Sequence, residues 1–140
     1  MRSRLVSLSA LALAALLAGC GDDDPFSPTV DNVSGSYSAE TFTLTTDAGT
    51  VDLLALGAEV TVELAADGTT TGQLFVPGVG VNEEDFEADL AGTWTLTDST
   101  VTFSQDADTF IRDVEFTASE NRLTGEETFG EETVRLVLGK

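Results

Sequence analysis

The chain has 140 residues, 25 of them acidic and 6 basic, for a formal net charge of −19, and it contains no histidine. So acidic a surface repels a phosphate backbone, which argues against a nucleic-acid partner. With no imidazole, a single cysteine (Cys20) and a single lysine (Lys140), Ser-His-Asp, Cys-His and lysine-based nucleophilic schemes lack a base or an amine. Zinc, copper and iron likewise lack their usual nitrogen and sulfur ligands.

The N-terminus reads MRSRLVSLSALALAALLAGC, with Arg2 and Arg4 ahead of an apolar run from Leu5 to Leu17 that only Ser7 and Ser9 interrupt. A short positive region followed by a short apolar core is the layout of a secretory signal. The run falls short of the ~20 apolar residues that a membrane-spanning helix needs. Leu17-Ala18-Gly19-Cys20 resembles the lipobox of bacterial lipoproteins at all four positions. The resemblance implies cleavage after Gly19 and transfer of diacylglycerol to the Cys20 thiol. A further N-acyl chain such as palmitate would then exceed the two-chain requirement for stable anchoring.

Residues 20–33 begin with Gly21-Asp22-Asp23-Asp24-Pro25 and carry no hydrophobic period, which reads as an acidic, proline-containing flexible tether. The acidic run also resembles export signals of some surface-exposed bacterial lipoproteins, and Gly21 is not the aspartate associated with inner-membrane retention. The expected location is therefore the cell envelope, lipid-anchored at the outer membrane, on its periplasmic face or at the cell surface. Residues 34–140 form the domain proper. Without residues 1–19, the chain keeps 121 residues with 4 bases against 25 acids, enough for one core and too few for two domains.

Threonine, valine, leucine and glycine bias this domain toward strands. From Ser34 to Thr46 the alternation changes parity, with Tyr37 and Ala39 in one set and Phe42 and Leu44 in the other, which predicts a bulge near Glu40. Val51 to Leu56 is continuously apolar and fits either a buried strand or a helical turn closing a barrel end. Val60, Val62 and Leu64 alternate with Glu59, Thr61 and Glu63, and Asp67-Gly68 marks a hairpin. The returning strand stops at Pro77, and Gly78 to Glu84 is a loop. Phe86, Ala88, Leu90, Gly92, Trp94 and Leu96 share one parity and should face inward. Further strands carry Val101 and Phe103, then Phe110, Val114 and Phe116 with Arg112 on the same side, then Leu123 and Gly125, and finally Val134, Leu136 and Leu138. About eight strands joined mostly by short turns predict an all-β, antiparallel up-and-down meander closed into a small barrel.

Leu90-Ala91-Gly92-Thr93-Trp94-Thr95-Leu96 resembles the G-x-W strand of lipocalin-like, calycin-type barrels, in which the tryptophan plugs one end. In lipocalins that motif lies on the first strand; here Gly35-Ser36-Tyr37 stands near the start and Trp94 near the middle. The phrases DLLALG (Asp52 to Gly57), ADGTTTGQLFVP (Ala66 to Pro77), DADTFIRD (Asp106 to Asp113) and NRLTGEETF (Asn121 to Phe129) are similar to those of small bacterial lipoproteins with a lipocalin-like domain. That resemblance implies fold and compartment and no particular chemistry.

No catalytic residue, metal site or cofactor is expected. A paired-carboxylate hydrolase would need a raised general-acid pKa, and the acids fall mainly on the outward parity or in turns. Asp106 with Asp108, and Glu83-Glu84-Asp85, are the oxygen-rich candidates for calcium, but read better as solvated turns. Trp94, Arg112, Phe110, Phe116, Phe103 and Phe86 are the candidate interior residues. Arg112, a charge on the apolar parity, reads better as a barrel-end arginine stacked on Trp94 or paired with an acid than as a ligand anchor inside the barrel. Two functions stand open: a barrel that binds a small apolar ligand, or a filled barrel that serves as a structural or protein-interaction module of the envelope. The first step is checked by replacing Cys20: Cys20→Ala should abolish incorporation of labelled palmitate, and persistent labelling would exclude Cys20 as the lipidated residue.

Overall fold

The computed structural model describes residues 26–140; the expected signal segment, the lipobox candidates Leu17, Ala18 and Gly19, the lipidation candidate Cys20 and the first part of the expected tether lie outside the described residues. The description starts with a short helical turn, α1 (Val30–Val33), set by a capping box in which Thr29 and Asn32 satisfy each other's backbone N–H groups. This turn belongs to the barrel: Val33 is fully buried and Phe26 packs against the core. Residues 26–33, expected as the end of a flexible tether, are thus docked onto the domain.

Ten antiparallel strands follow: β1 (Gly35–Thr46), β2 (Gly49–Asp52), β3 (Glu59–Leu64), β4 (Thr69–Val76), β5 (Phe86–Asp89), β6 (Gly92–Thr97), β7 (Thr100–Gln105), β8 (Phe116–Ser119), β9 (Arg122–Phe129) and β10 (Glu132–Gly139). Eight of them close into a barrel in the order β1-β3-β4-β6-β7-β8-β9-β10, with β10 pairing back onto β1. The expected eight-stranded up-and-down barrel is therefore the observed architecture. Strands β2 and β5 extend it, because long β1 and β4 each outrun one neighbour. The lower half of β1 pairs β3 and its upper half pairs β2. In the same way β4 pairs β6 at Thr69 and Thr70 and β5 from Gln73 to Val76.

Local chemistry explains the irregular points. The register of β1 against β10 shifts between Ala39 and Thr41, so Glu40 is the bulged residue that reconciles the two parities. The inward series Phe86, Ala88, Leu90, Gly92, Trp94 and Leu96 holds across the break between β5 and β6, all six being buried or half-buried. The break frees the Leu90 carbonyl from the ladder, and the buried side chains of Thr70 and Gln105 donate to it at 2.8 and 3.1 Å. The apolar run Val51 to Leu56 is neither a buried strand nor a helix. It ends β2 and then turns, with the Asp52 carboxylate accepting from the N–H groups of Leu54 and Ala55. Only Leu53 of this run is buried, while Val51 and Leu56 are exposed.

The interior is filled by side chains. Val60, Val62 and Leu64 of β3, Leu74 of β4, Leu90, Val101 and Phe103 of β7, Phe116 of β8, Leu123 of β9 and Leu136 and Leu138 of β10 are all below 6 % exposed. Phe103 and Phe116 meet edge to face with ring centroids 5.4 Å apart. Opposite Phe116 in the ladder stands Gly125, where a Cβ would lie 2.6 Å from Val114 Cγ1 and 2.8 Å from the Phe116 ring. The glycine makes room for the aromatic. All of this core, and the whole closed ladder, lies within residues 26–140, so the segment is a self-contained folding unit. Gly125→Val should overpack this contact and lower stability by about 1–3 kcal/mol, read as a fall in the urea midpoint at unchanged slope; an unchanged midpoint would contradict the placement of Phe116.

Candidate functional site

The alternating strand directions give the barrel two unlike ends. Three short hairpins, at residues 65–68, 98–99 and 120–121, lie at the end where β1 begins and β10 finishes. That end is closed. Trp94 is buried there and donates its indole N–H to the Ala65 carbonyl at 2.8 Å, while Tyr37 donates its hydroxyl to the Val33 carbonyl at 2.6 Å. Gly35-Ser36-Tyr37 on the first strand and Gly92-Thr93-Trp94 on the sixth thus place two buried aromatics near the same end. Lys140 locks α1 over it, donating to the Asn32 carbonyl at 2.6 Å with its ammonium 5.6 Å from the Tyr37 ring centroid.

The two groups with shifted titration among the described residues also lie at this end. Burial pushes the Tyr37 hydroxyl above the usual phenol value. Hydrogen bonds from the Thr69 hydroxyl, then from the Thr69 backbone N–H, hold Asp67 below the usual carboxylate value in its exposed hairpin. Each has a local structural cause and neither adjoins a cavity of the interior.

The opposite end is wider and less regular. It carries the β1–β2 hairpin (47–48), the turn at 53–58, the loop at 77–85, the segment from 106 to 115 and the β9–β10 turn (130–131). Between these loops lies a cavity of about 200 Å³ lined by Phe42, Leu44, Leu53, Leu74, Val76, Val79, Phe86, Phe110 and Val134. Every lining side chain is apolar, and no titratable group is among them. Phe42 and Phe110 stack with ring centroids 5.5 Å apart, and Phe42 and Leu74 are buried where Leu44, Phe86, Phe110 and Val134 stay half-exposed. Val79 at the mouth of the cup and Val81 and Leu56 outside its lining are 57 %, 81 % and 61 % exposed, an apolar margin at this end. A larger hollow of about 330 Å³ lies on the outer wall over β1, β3 and β4, but its lining mixes hydroxyls and charges such as Ser36, Thr61, Thr71, Glu63 and Lys140 with apolar surface. The cup is the better candidate because only there do convergent side chains share one chemistry.

The six residues singled out from the sequence divide into three groups. Phe86 and Phe110 line the cup. Trp94, Phe103 and Phe116 are core residues, 4 %, 5 % and 0 % exposed, away from it. For Arg112 the inward parity is corrected and the pairing with an acid is found: it points outward from a 3₁₀ turn (Phe110–Asp113) and pairs with exposed Asp108. It does not anchor anything inside the barrel. In a 3₁₀ turn side chains three apart share a side, so Ile111 and Val114 are buried, and the residue between them that strand parity would turn inward faces water.

Phe42, Leu44 and Val134 were legible as strand residues of the apolar parity but not as members of a cavity, since parity does not tell which end of a barrel stays open. Val79 gave a signal of its own, as an apolar residue in a glycine-rich loop where polar residues are the rule. Inside the barrel, Gln105 Oε1 and Thr109 Oγ1 are buried without a partner among the described residues, positions that ordered water can satisfy. Among the described residues no group of three or more acidic, histidine or cysteine side chains could hold a metal, and no helix is long and apolar enough to cross a membrane.

Comparison with protein-family models, with curated protein sequences and with solved structures finds no match. The chemistry of the cup must therefore be argued from its own residues. The outward placement of Arg112 is checked by Arg112→Ala, which should cost less than about 1 kcal/mol, as expected for an exposed ion pair. A loss of about 3–5 kcal/mol would indicate a buried pair instead.

Proposed function

We propose that this chain is a lipid-anchored envelope protein whose barrel takes a small apolar molecule, or the apolar end of a larger one, into the cup between its long loops. The observation that supports the reading most directly is the wholly apolar lining of that cup at the barrel end opposite α1. A tether continuing from α1 to Cys20 would place the closed end toward the membrane and the cup away from it. Loops projected from a rigid scaffold are the usual place for binding surfaces.

Size limits the occupant. Pockets for drug-sized ligands run to ~300–1,000 Å³, whereas an apolar cavity of about 150 Å³ can hold a benzene. A cup of about 200 Å³ suits one ring or one short alkyl segment. The filled interior below it favours a second reading, in which the cup seats an apolar side chain of another envelope protein and the barrel is an interaction module. Both readings are non-enzymatic, and both place the occupant at the same residues.

Titration with a neutral single-ring probe such as toluene, followed by amide shifts, separates the two. The small-molecule reading expects one saturable site on the Phe26–Lys140 domain. Binding should weaken at least tenfold on Val134→Phe, which fills the cup, and on Val79→Asp, which charges its margin without touching the core. Absence of saturable binding, or affinity unchanged in both variants, would overturn it and leave the interaction module.

A further inference from the structure

We infer that the cup is built for a cationic amphiphile: an apolar group enters between Phe42, Phe110 and Val134, and a positive head stays outside among the acids of the surrounding loops. The inference rests on the binding role proposed for the cup and adds the charge class of what it holds. Its basis is how charge is distributed around the opening. The segments at that end (residues 47–48, 53–58, 77–85, 106–115 and 130–131) contain nine acids and one base. That base, Arg112, is already held by Asp108. Those nine acids fall in 29 residues, against 22 acids in the 115 residues 26–140; the shorter closed-end segments 65–68, 98–99 and 120–121 hold three acids in eight residues, and there the ammonium of Lys140 sits across α1.

Three features make the rim more than a solvated surface. The acids frame a cavity whose lining has no polar side chain, so a ligand head group finds its first charged partners at the margin. Glu83, Glu84 and Asp85 continue directly from the exposed apolar residues Val79 and Val81, placing negative charge and apolar surface on the same loop. No salt bridge engages Glu83, Glu84, Asp85, Asp106, Asp113 or Glu131 among the described residues; Asp85 accepts the Gly78 backbone N–H at 3.2 Å and keeps its charge. A carboxylate or sulfate head would be repelled by the field of these acids, and a neutral head would feel little of it. An ammonium would be drawn toward it over about one Debye length, ~8–10 Å at ordinary ionic strength.

The test compares three probes with the same six-carbon chain, hexyltrimethylammonium, 1-hexanol and hexyl sulfate, titrated into the isotope-labelled Phe26–Lys140 domain and followed by amide shifts and calorimetry. The ammonium should bind about tenfold tighter than the alcohol at 20 mM salt and lose most of that advantage at 500 mM, with shifts at Phe42, Phe110 and Val134. The sulfate should bind more weakly than the alcohol. Combining Glu83→Gln, Glu84→Gln and Asp85→Asn, all at exposed positions, should shrink the ammonium preference while leaving hexanol affinity as it was.

Equal binding of sulfate and ammonium, or a preference that survives the triple variant, would overturn the charge assignment and leave the cup as a site for apolar groups. Ammonium shifts confined to the acidic loops would reduce the effect to surface ion pairing and overturn it as well. If none of the three probes perturbs the cup, the binding role itself fails. Cup shifts that grow with protein concentration before any probe is added would give the site to a second copy of the chain.

Discussion

Without the pairing of the first strand with the last, this molecule would be an open twisted sheet with two long unpaired edges. The seam runs from Ser38↔Gly139 to Thr45↔Thr133, and it converts every edge of the eight-stranded circuit into ladder. The seam needs two accommodations from the sequence. Glu40 bulges out of β1, and Gly139 leaves room for it, since a Cβ there would collide with the Glu40 carboxylate. Across that glycine Glu40 accepts from Arg122 Nε at 2.7 Å, tying β1 to β9 over the intervening strand. The pair is exposed and contributes little energy; its value lies in holding one register.

Closure then dictates where function can sit. Once the eight barrel strands are paired and the interior is packed, the molecule has its outer wall, its two ends and the short outer edges of β2 and β5 to offer a partner. The outer wall is polar by alternation. One end is shut by Trp94, Tyr37, α1 and Lys140, each with its polar atom satisfied by a named carbonyl or ring. The other end is where β1 and β4 outrun their neighbours, so short strands β2 and β5 and the irregular loops must cover it, and they do so incompletely. The apolar cup is the space they leave, and the acids those loops carry for solubility also set the field around it.

Much of the scaffold was readable from period and turn chemistry. The inward series of β5 and β6, the alternation of β3, the hairpin at Asp67-Gly68 and the bulge at Glu40 all follow from rules about successive side chains in a strand, and strands obey them here. The rules failed where the backbone stopped being a strand. Parity put Arg112 inside because it stands two residues from Phe110 and two from Val114, but a 3₁₀ turn repeats every three residues and buries Ile111 with Val114 instead. The run Val51 to Leu56 misled for the opposite reason: its apolar residues are spent on a turn at the rim, where only Leu53 reaches the core. The cup was invisible because its lining comes from six separate stretches of chain, and only closure brings them together.

Xenon tests the central physical claim, that this end of the barrel opens into an apolar cup while the middle is filled by side chains. In crystals of the Phe26–Lys140 domain held under xenon, the gas should occupy a site between Phe42, Leu74, Phe110 and Val134, as it does in dry apolar cavities, and should find none around Phe103 and Phe116. Xenon bound among Phe103, Phe116 and Leu90, or ordered water in place of xenon in the cup, would contradict the filled interior and the apolar opening on which the functional reading stands.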